Sequence, residues 1–198
     1  MMRITGYLSV CFRRILVFGL FWILCDNPVR AAEGPFPLTP IYNPSSKSYF
    51  QLFGDNHHPG NWEAARTRAA MKSFKNVRGR LAVIDSVETH KFVLQTFDLT
   101  RRKVAVWIGL RYWCKTHLLQ WDSSRPFSPS DAGYFRIWHA RWSRNDETKG
   151  DACQFTGSRR SGFAPIYYRT IGASTRWQAV GAAKFFPHYL VEFPTGKE

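Results

Sequence analysis

The stretch Val104-Ala105-Val106-Trp107-Ile108-Gly109-Leu110 runs for seven residues without a charge, between Arg101-Arg102-Lys103 and Arg111. A short apolar run of β-branched and aromatic residues between polar flanks predicts a central strand buried on both faces. Only an interior strand hides every side chain along its length. Gly109 is the odd residue, because glycine weakens a strand through backbone entropy and missing packing. Its presence predicts that another segment's backbone or a large ring comes close there.

Outward from this strand, the N-terminus reads as a processing segment. Arg3, Arg13 and Arg14 precede the apolar run from Ile15 to Leu24, and small residues follow at Val29-Arg30-Ala31-Ala32. That order is a secretory signal peptide over residues 1–31, cleaved after Ala31. The competing reading is a signal anchor, but a membrane span needs about 20 apolar residues and this run is shorter. No stable membrane span is expected after processing. Lipid attachment at Cys25 is disfavoured by bulky Trp22 and Leu24 before it.

Without residues 1–31, Lys+Arg falls from 28 to 24 and Asp+Glu from 14 to 13, leaving a net charge of +11. The rest is one domain's worth of chain, expected as an extended leader over 32–47 and a folded domain over 48–198. The basic balance fits an anionic partner such as an acidic glycan, envelope polymer, phospholipid surface or nucleic acid, and equally fits solubility alone. Cys114 and Cys153 survive processing. Two cysteines in an exported chain most often form one disulfide, which would contribute roughly 3 to 4 kcal/mol by the loop-entropy model. No second thiol lies two residues from either cysteine and the histidines are scattered, so no metal site is expected.

Pro35, Pro37, Pro40 and Pro44 mark the extended leader. Ser48 to Phe53 reads as a first strand, ended by the turn-rich 54–60 stretch. Asn61 caps a helix over Trp62 to Met71, with Trp62, Ala65, Ala69 and Met71-Lys72 on one face and arginines outward. Gly79 to Ile84 is a short strand, and Ser86 to Phe97 a second helix. After the central strand, Leu118 to Asp122 returns as a hairpin arm. From Ser123 to about Ala152 a long loop is studded with Phe127, Tyr134, Phe135, Trp138 and Trp142, and those rings argue for order. Short strands at 152–155, around 166–169 with 175–177, and at 189–193 finish the chain.

This order of signals resembles the C-type lectin-like domain over about residues 48–194. The residues that carry it are Trp62 and Ala65, Gly79-x-Leu81-Ala82-x-Ile84-x-Ser86 with Glu88 and Phe92, Trp107-Ile108-Gly109-Leu110, and Trp121-Asp122. Trp138 and Trp142 in the loop, Cys153, Trp177 and Tyr189-Leu190-Val191-Glu192-Phe193 complete it. The resemblance implies an α+β fold, two helices flanking antiparallel sheets, with a long loop region that carries ligand binding. It also implies that the first and last strands pair, setting Tyr49–Phe53 against Tyr189–Phe193. For Trp62, Trp107, Leu110 and Phe92, core packing is the expected role.

The departures bear on function. One usual disulfide of the family joins places that are Ala69 and Val191 here, and another usual partner of Cys153 falls near Ala182 and Ala183. The resemblance therefore leaves Cys114 as the partner of Cys153. Calcium-dependent sugar binders of that family carry Glu-Pro-Asn or Gln-Pro-Asp in the long loop and Trp-Asn-Asp on the next strand, which supply hard oxygen ligands. Here those places read Trp142-Ser143-Arg144-Asn145-Asp146-Glu147 and Trp177-Gln178-Ala179, with Arg144 and Arg176 adding positive charge. No cofactor is expected, and Ca²⁺ is disfavoured at this site.

The expectation is a secreted, non-catalytic binding domain for an acidic glycan, independent of Ca²⁺, with an exported protein surface as the alternative partner. Ring stacking and polar contacts would come from Trp138, Trp142, Arg144, Asn145, Asp146, Glu147 and Trp177. No nucleophile elbow, His-Glu-x-x-His or paired carboxylates support an enzyme, and His139 near Asp146 is too thin a basis. Nucleic acid as a partner would rest on charge alone and is not expected of an exported chain.

Overall fold

The computed structural model describes residues 36–127, 153 and 156–198. Strand β1 (Ile41–Asn43) leads into β2 (Ser48–Gly54) as an antiparallel pair, so the end of the expected leader joins the sheet. Helix α1 spans Trp62–Ala70. Asn61 starts it, its side-chain oxygen accepting from the Ala64 N–H at 2.9 Å, which satisfies one of the orphan donors of the first turn. Trp62, Ala65 and Ala69 form its buried face, as their spacing predicts. Met71 does not belong to that face: it is 77% exposed, because the helix has ended and the chain turns into β3 (Ser73–Phe74).

β3 pairs with β4 (Val77–Arg78) as a small separate ribbon. The expected strand at 79–84 is narrower, only β5 (Arg80–Leu81), yet Ala82, Val83 and Ile84 are all buried. The Ala82 N–H still bonds along β10, donating to the Leu190 carbonyl at 2.9 Å, but beyond it the backbone turns to other partners: the Ala82 carbonyl accepts from the Gly109 N–H and the Val83 N–H donates to the Glu192 carboxylate. Helix α2 (Val87–Thr96) follows, capped by Ser86, whose hydroxyl accepts from the Thr89 N–H at 3.1 Å. A single turn, α3 (Leu99–Arg102), buries Leu99.

The central strand is β6 (Val106–Trp113), paired antiparallel with β7 (Leu118–Trp121) and with β8 (Phe163–Ile171). β9 (Ser174–Ala179) returns along β8, and β10 (His188–Phe193) ends the chain. The main sheet runs β1-β2-β10-β6-β8-β9, with β7 alongside β6 and β5 alongside β10. β10 meets β6 in parallel over His188–Tyr189 and then lies against β5 at Val191–Glu192. β2 and β10 run antiparallel with Tyr49 opposite Phe193 and Phe53 opposite Tyr189, the closure that the resemblance implies.

Two apolar clusters use the two faces of β6. Val106, Ile108, Leu110 and Tyr112 face a core with Phe50, Ile84, Phe97, Trp121 and Trp177. Trp107 faces a second core with Trp62, Ala65, Leu81, Tyr189 and Phe193. The two indoles between α1 and β6 are locked: Trp62 Nε1 donates to the Ile108 carbonyl at 2.8 Å, and Trp107 Nε1 to the Gly60 carbonyl at 2.9 Å. Gly109 is where the backbones touch. A Cβ there would lie 2.6 Å from the Leu81 carbonyl oxygen, and the Gly109 N–H donates to the Ala82 carbonyl at 2.9 Å. The close neighbour is a backbone rather than a ring.

Cys114 and Cys153 are disulfide-bonded. Cys153 has helical backbone rather than the strand expected at 152–155. Ala69 and Val191 converge on Gly79, where a Cβ would stand 2.7 Å from both the Ala69 carbonyl oxygen and Val191 Cγ1. Apolar packing thus joins the first helix to the last strand where the family's bridge is missing.

Candidate functional site

Strand β9 alternates, and the alternation decides which of its side chains can meet a ligand. Thr175, Trp177 and Ala179 point inward and are buried, whereas Arg176 and Gln178 face the other way. Trp177 is fully buried, edge-on to Trp121 at 5.8 Å, with Tyr168 at 6.2 Å and both Phe127 and His90 at 6.4 Å between centroids. Its ring is not available to stack on a ligand, so the role expected for Trp177 is corrected to core packing. Both faces and edges of the indole are needed to fill the space under the strand.

Beneath it, His90 Nδ1 lies 2.8 Å from the Tyr168 hydroxyl. Burial draws the His90 pKa down to about 4 and pushes that of Tyr168 up. Both groups are therefore neutral at physiological pH, which is how a polar pair is accommodated in an apolar core.

On the opposite face of β8–β9, Tyr167 is buried against Trp107 and Phe186, and beyond it the surface is polar and basic. Arg169 stands opposite Arg176 and Tyr167 opposite Gln178 in the ladder. The Arg169 guanidinium donates to Gln178 Oε1 at 2.8 Å, and Arg176 Nε to Ser174 Oγ at 3.0 Å. At the end of β9 lies a depression of about 410 Å³ lined by Thr156, Gln178, Val180, Gly181 and Lys184, with no carboxylate among the described residues of its lining. Guanidinium, ammonium and amide groups of this kind donate hydrogen bonds to carboxylate, sulfate or hydroxyl oxygens. The guanidinium and ammonium groups repel a cation, and the Gln178 amide oxygen already accepts from Arg169. The described part of the strand offers Gln178 and Ala179 where hard oxygen ligands for Ca²⁺ would be wanted, and among the described residues no three acidic, His or Cys side chains gather as a metal site.

The β6–β7 hairpin forms a second accessible surface, next to the Cys114–Cys153 bond. Its open face carries Arg111 opposite Gln120 and Trp113 opposite Leu118. Among the described tryptophans, Trp113 is the one that is not fully buried. Trp138, Trp142, Arg144, Asn145, Asp146 and Glu147 lie outside the described residues. Arg169, Gln178 and Lys184 are not among the residues expected from the sequence to meet a ligand. The period of two along β9 carried the signal, since an inward Trp177 places its neighbours 176 and 178 outward.

The sequence matches the Lectin C-type domain family over residues 47–163. No curated protein matches the chain in sequence. The structure is similar to the C-type lectin CEL-I from Cucumaria echinata, at 15% identity over 80% of this chain and 97% of that one, with a TM-score of 0.55. It is similar to CEL-IV at 15% identity, 81% and 94% coverage and a TM-score of 0.54. The C-type lectin domain of murine dendritic cell inhibitory receptor 2, solved in complex with an N-glycan, is likewise similar, at 12% identity, 76% and 94% coverage and a TM-score of 0.52. Since the family match spans more than half of the sequence and runs through the central strand, the chain belongs to the C-type lectin domain family.

Proposed function

We propose that this chain is an exported, non-catalytic carbohydrate-binding domain that takes an acidic glycan without requiring Ca²⁺. The observation that carries the reading is the chemistry of β9: beside the buried Trp177 it turns Arg176 and Gln178 outward, next to Arg169, and offers no carboxylate. A strand with donors and positive charge suits an anionic sugar, whereas one with Asn and Asp suits a cation-bridged neutral sugar. Trp138 and Trp142 would add ring faces, and Arg144, Asn145, Asp146 and Glu147 polar contacts, from the loop that precedes it. Residues 1–31 would direct export. No helix among the described residues is long and apolar enough to cross a membrane. The N-glycan complex of the murine receptor domain supports carbohydrate as the ligand class.

A glycan array holding neutral, sialylated, sulfated and uronic-acid saccharides, probed with and without chelator, tests each part. Binding to the acidic members, unchanged by chelator, is the expected result. No binding to any sugar would overturn the carbohydrate reading, abolition by chelator the calcium independence, and equal binding of neutral sugars the acidic preference. The alternative is a protein–protein interaction module of the same fold with no sugar binding.

A further inference from the structure

Trp113 is held as a fixed platform. Its Nε1 donates to Gln120 Oε1 at 2.7 Å, and Gln120 Nε2 in turn donates to the Ser124 carbonyl at 3.2 Å. The Arg111 guanidinium sits over the indole at 4.5 Å from the centroid, and Phe163 meets it edge-on at 5.8 Å. The strand continues into Cys114, whose N–H donates to the Gly162 carbonyl at 2.9 Å and whose sulfur is bonded to Cys153. Ring, backbone and disulfide leave little freedom to lose on binding, which lowers the entropic cost of association.

Beside this ring lies a groove of about 530 Å³ lined by Trp113, Lys115, Leu118, Leu119, Pro126 and Gly162, together with Thr116 and Gln120. Leu118 is 62% exposed, although a leucine gains about 2 kcal/mol when buried. Among the described residues lining the groove there is one positive charge, Lys115, and no carboxylate. The turn that supplies Gly162 also carries exposed Arg159 and Arg160.

We propose that this groove binds a polypeptide partner through an apolar side chain flanked by an acidic residue, the apolar group seating between Trp113, Leu118 and Pro126 and the carboxylate pairing with Lys115. A saccharide fits less well, because the Gln120 amide already bonds to Trp113 and Ser124 and, among the described residues lining the groove, Lys115 and Thr116 are the other polar side chains offered to hydroxyls. Tryptophan beside arginine, surrounded by apolar contacts, is the composition in which interface energy concentrates. This site is separate from the strand β9 surface and does not depend on glycan binding there.

The test is a random peptide library displayed on phage and panned against the full, oxidised chain. Enriched peptides should pair an aromatic or branched apolar residue with Asp or Glu, and should shift the Trp113 indole N–H signal in NMR spectra. Leu118→Asp changes an exposed side chain, so the fold is kept, and it should weaken the selected peptides at least about tenfold. Lys115→Glu should redirect selection towards basic peptides. Enrichment without the acidic residue, binding indifferent to Leu118→Asp, self-association of the chain abolished by Leu118→Asp in sedimentation, or loss of saccharide binding in that variant would each overturn the assignment.

Discussion

The amide of Gly109 donates to the Ala82 carbonyl while its Cα faces the Leu81 carbonyl oxygen, so a methyl group there would stand 2.6 Å from a backbone atom that cannot rotate away. Gly109→Ala is expected to destabilise by about 2 kcal/mol or more, through displacement of β5 from β6, read as a lowered midpoint in urea. His90 makes a second single-residue prediction. The unfolded chain protonates this imidazole near pH 6.5, whereas burial holds the folded value at about 4. Between those values the unfolded state binds more protons, so stability falls as pH falls through the window, by about 3 kcal/mol in all, and is independent of His90 above it. Urea titrations at pH 7 and pH 4.5 should show a smaller acid loss in His90→Gln than in the parent.

At the scale of elements, β10 is the strand that ties the others together, and Glu192 is its polar fastening. The buried carboxylate accepts from Ser48 Oγ at 2.9 Å, from the Val83 N–H at 3.0 Å, and from Arg80 Nε and Nη2 at 3.0 and 3.1 Å. One side chain thus joins β2, β5 and the segment after β5. Glu192→Leu removes the acceptor and leaves Ser48, the Val83 amide and Arg80 without it, at an expected cost of about 3 kcal/mol by thermal or chemical denaturation. Arg80→Ala should cost less, because that guanidinium is partly solvated and the carboxylate keeps its other donors. The Cys114–Cys153 bond ties the end of β6 to the far side of the long loop across a separation of 39 residues. Replacing both cysteines by serine should lower stability by about 3 kcal/mol, and reductant should reproduce the loss.

Across the whole molecule, the formal charge, +14 for the full sequence and +11 without residues 1–31, frames any ligand encounter. Binding of an acidic glycan should weaken as salt is raised from low to physiological strength, since the Debye length shrinks towards about 8 Å; surface plasmon resonance at several ionic strengths reads this, and salt-independent affinity would count against an electrostatic contribution. Much of the architecture was legible in the chain: an uncharged run at 104–110 belongs in a sheet interior, Asn61 and Ser86 announce helix starts, and Tyr189–Phe193 reads as a strand, whose closure on Tyr49–Phe53 came from the family resemblance alone. These are local or nearly local physics, namely hydrophobic period, capping and composition. The placement of residues between layers was not legible. Trp177 and Trp113 look alike in sequence, yet one is sealed among Trp121, Tyr168 and His90 and the other borders an open groove. Met71 continues the α1 pattern but falls beyond its last turn. Sequence by itself determined the central strand, the two capped helices and the last strand with their order, and the family resemblance implied the pairing of Cys114 with Cys153. Only the tertiary structure decided which rings face solvent and that β9 shows Arg176 and Gln178 outward, because exposure depends on which distant segment covers a given face, and no local pattern encodes that.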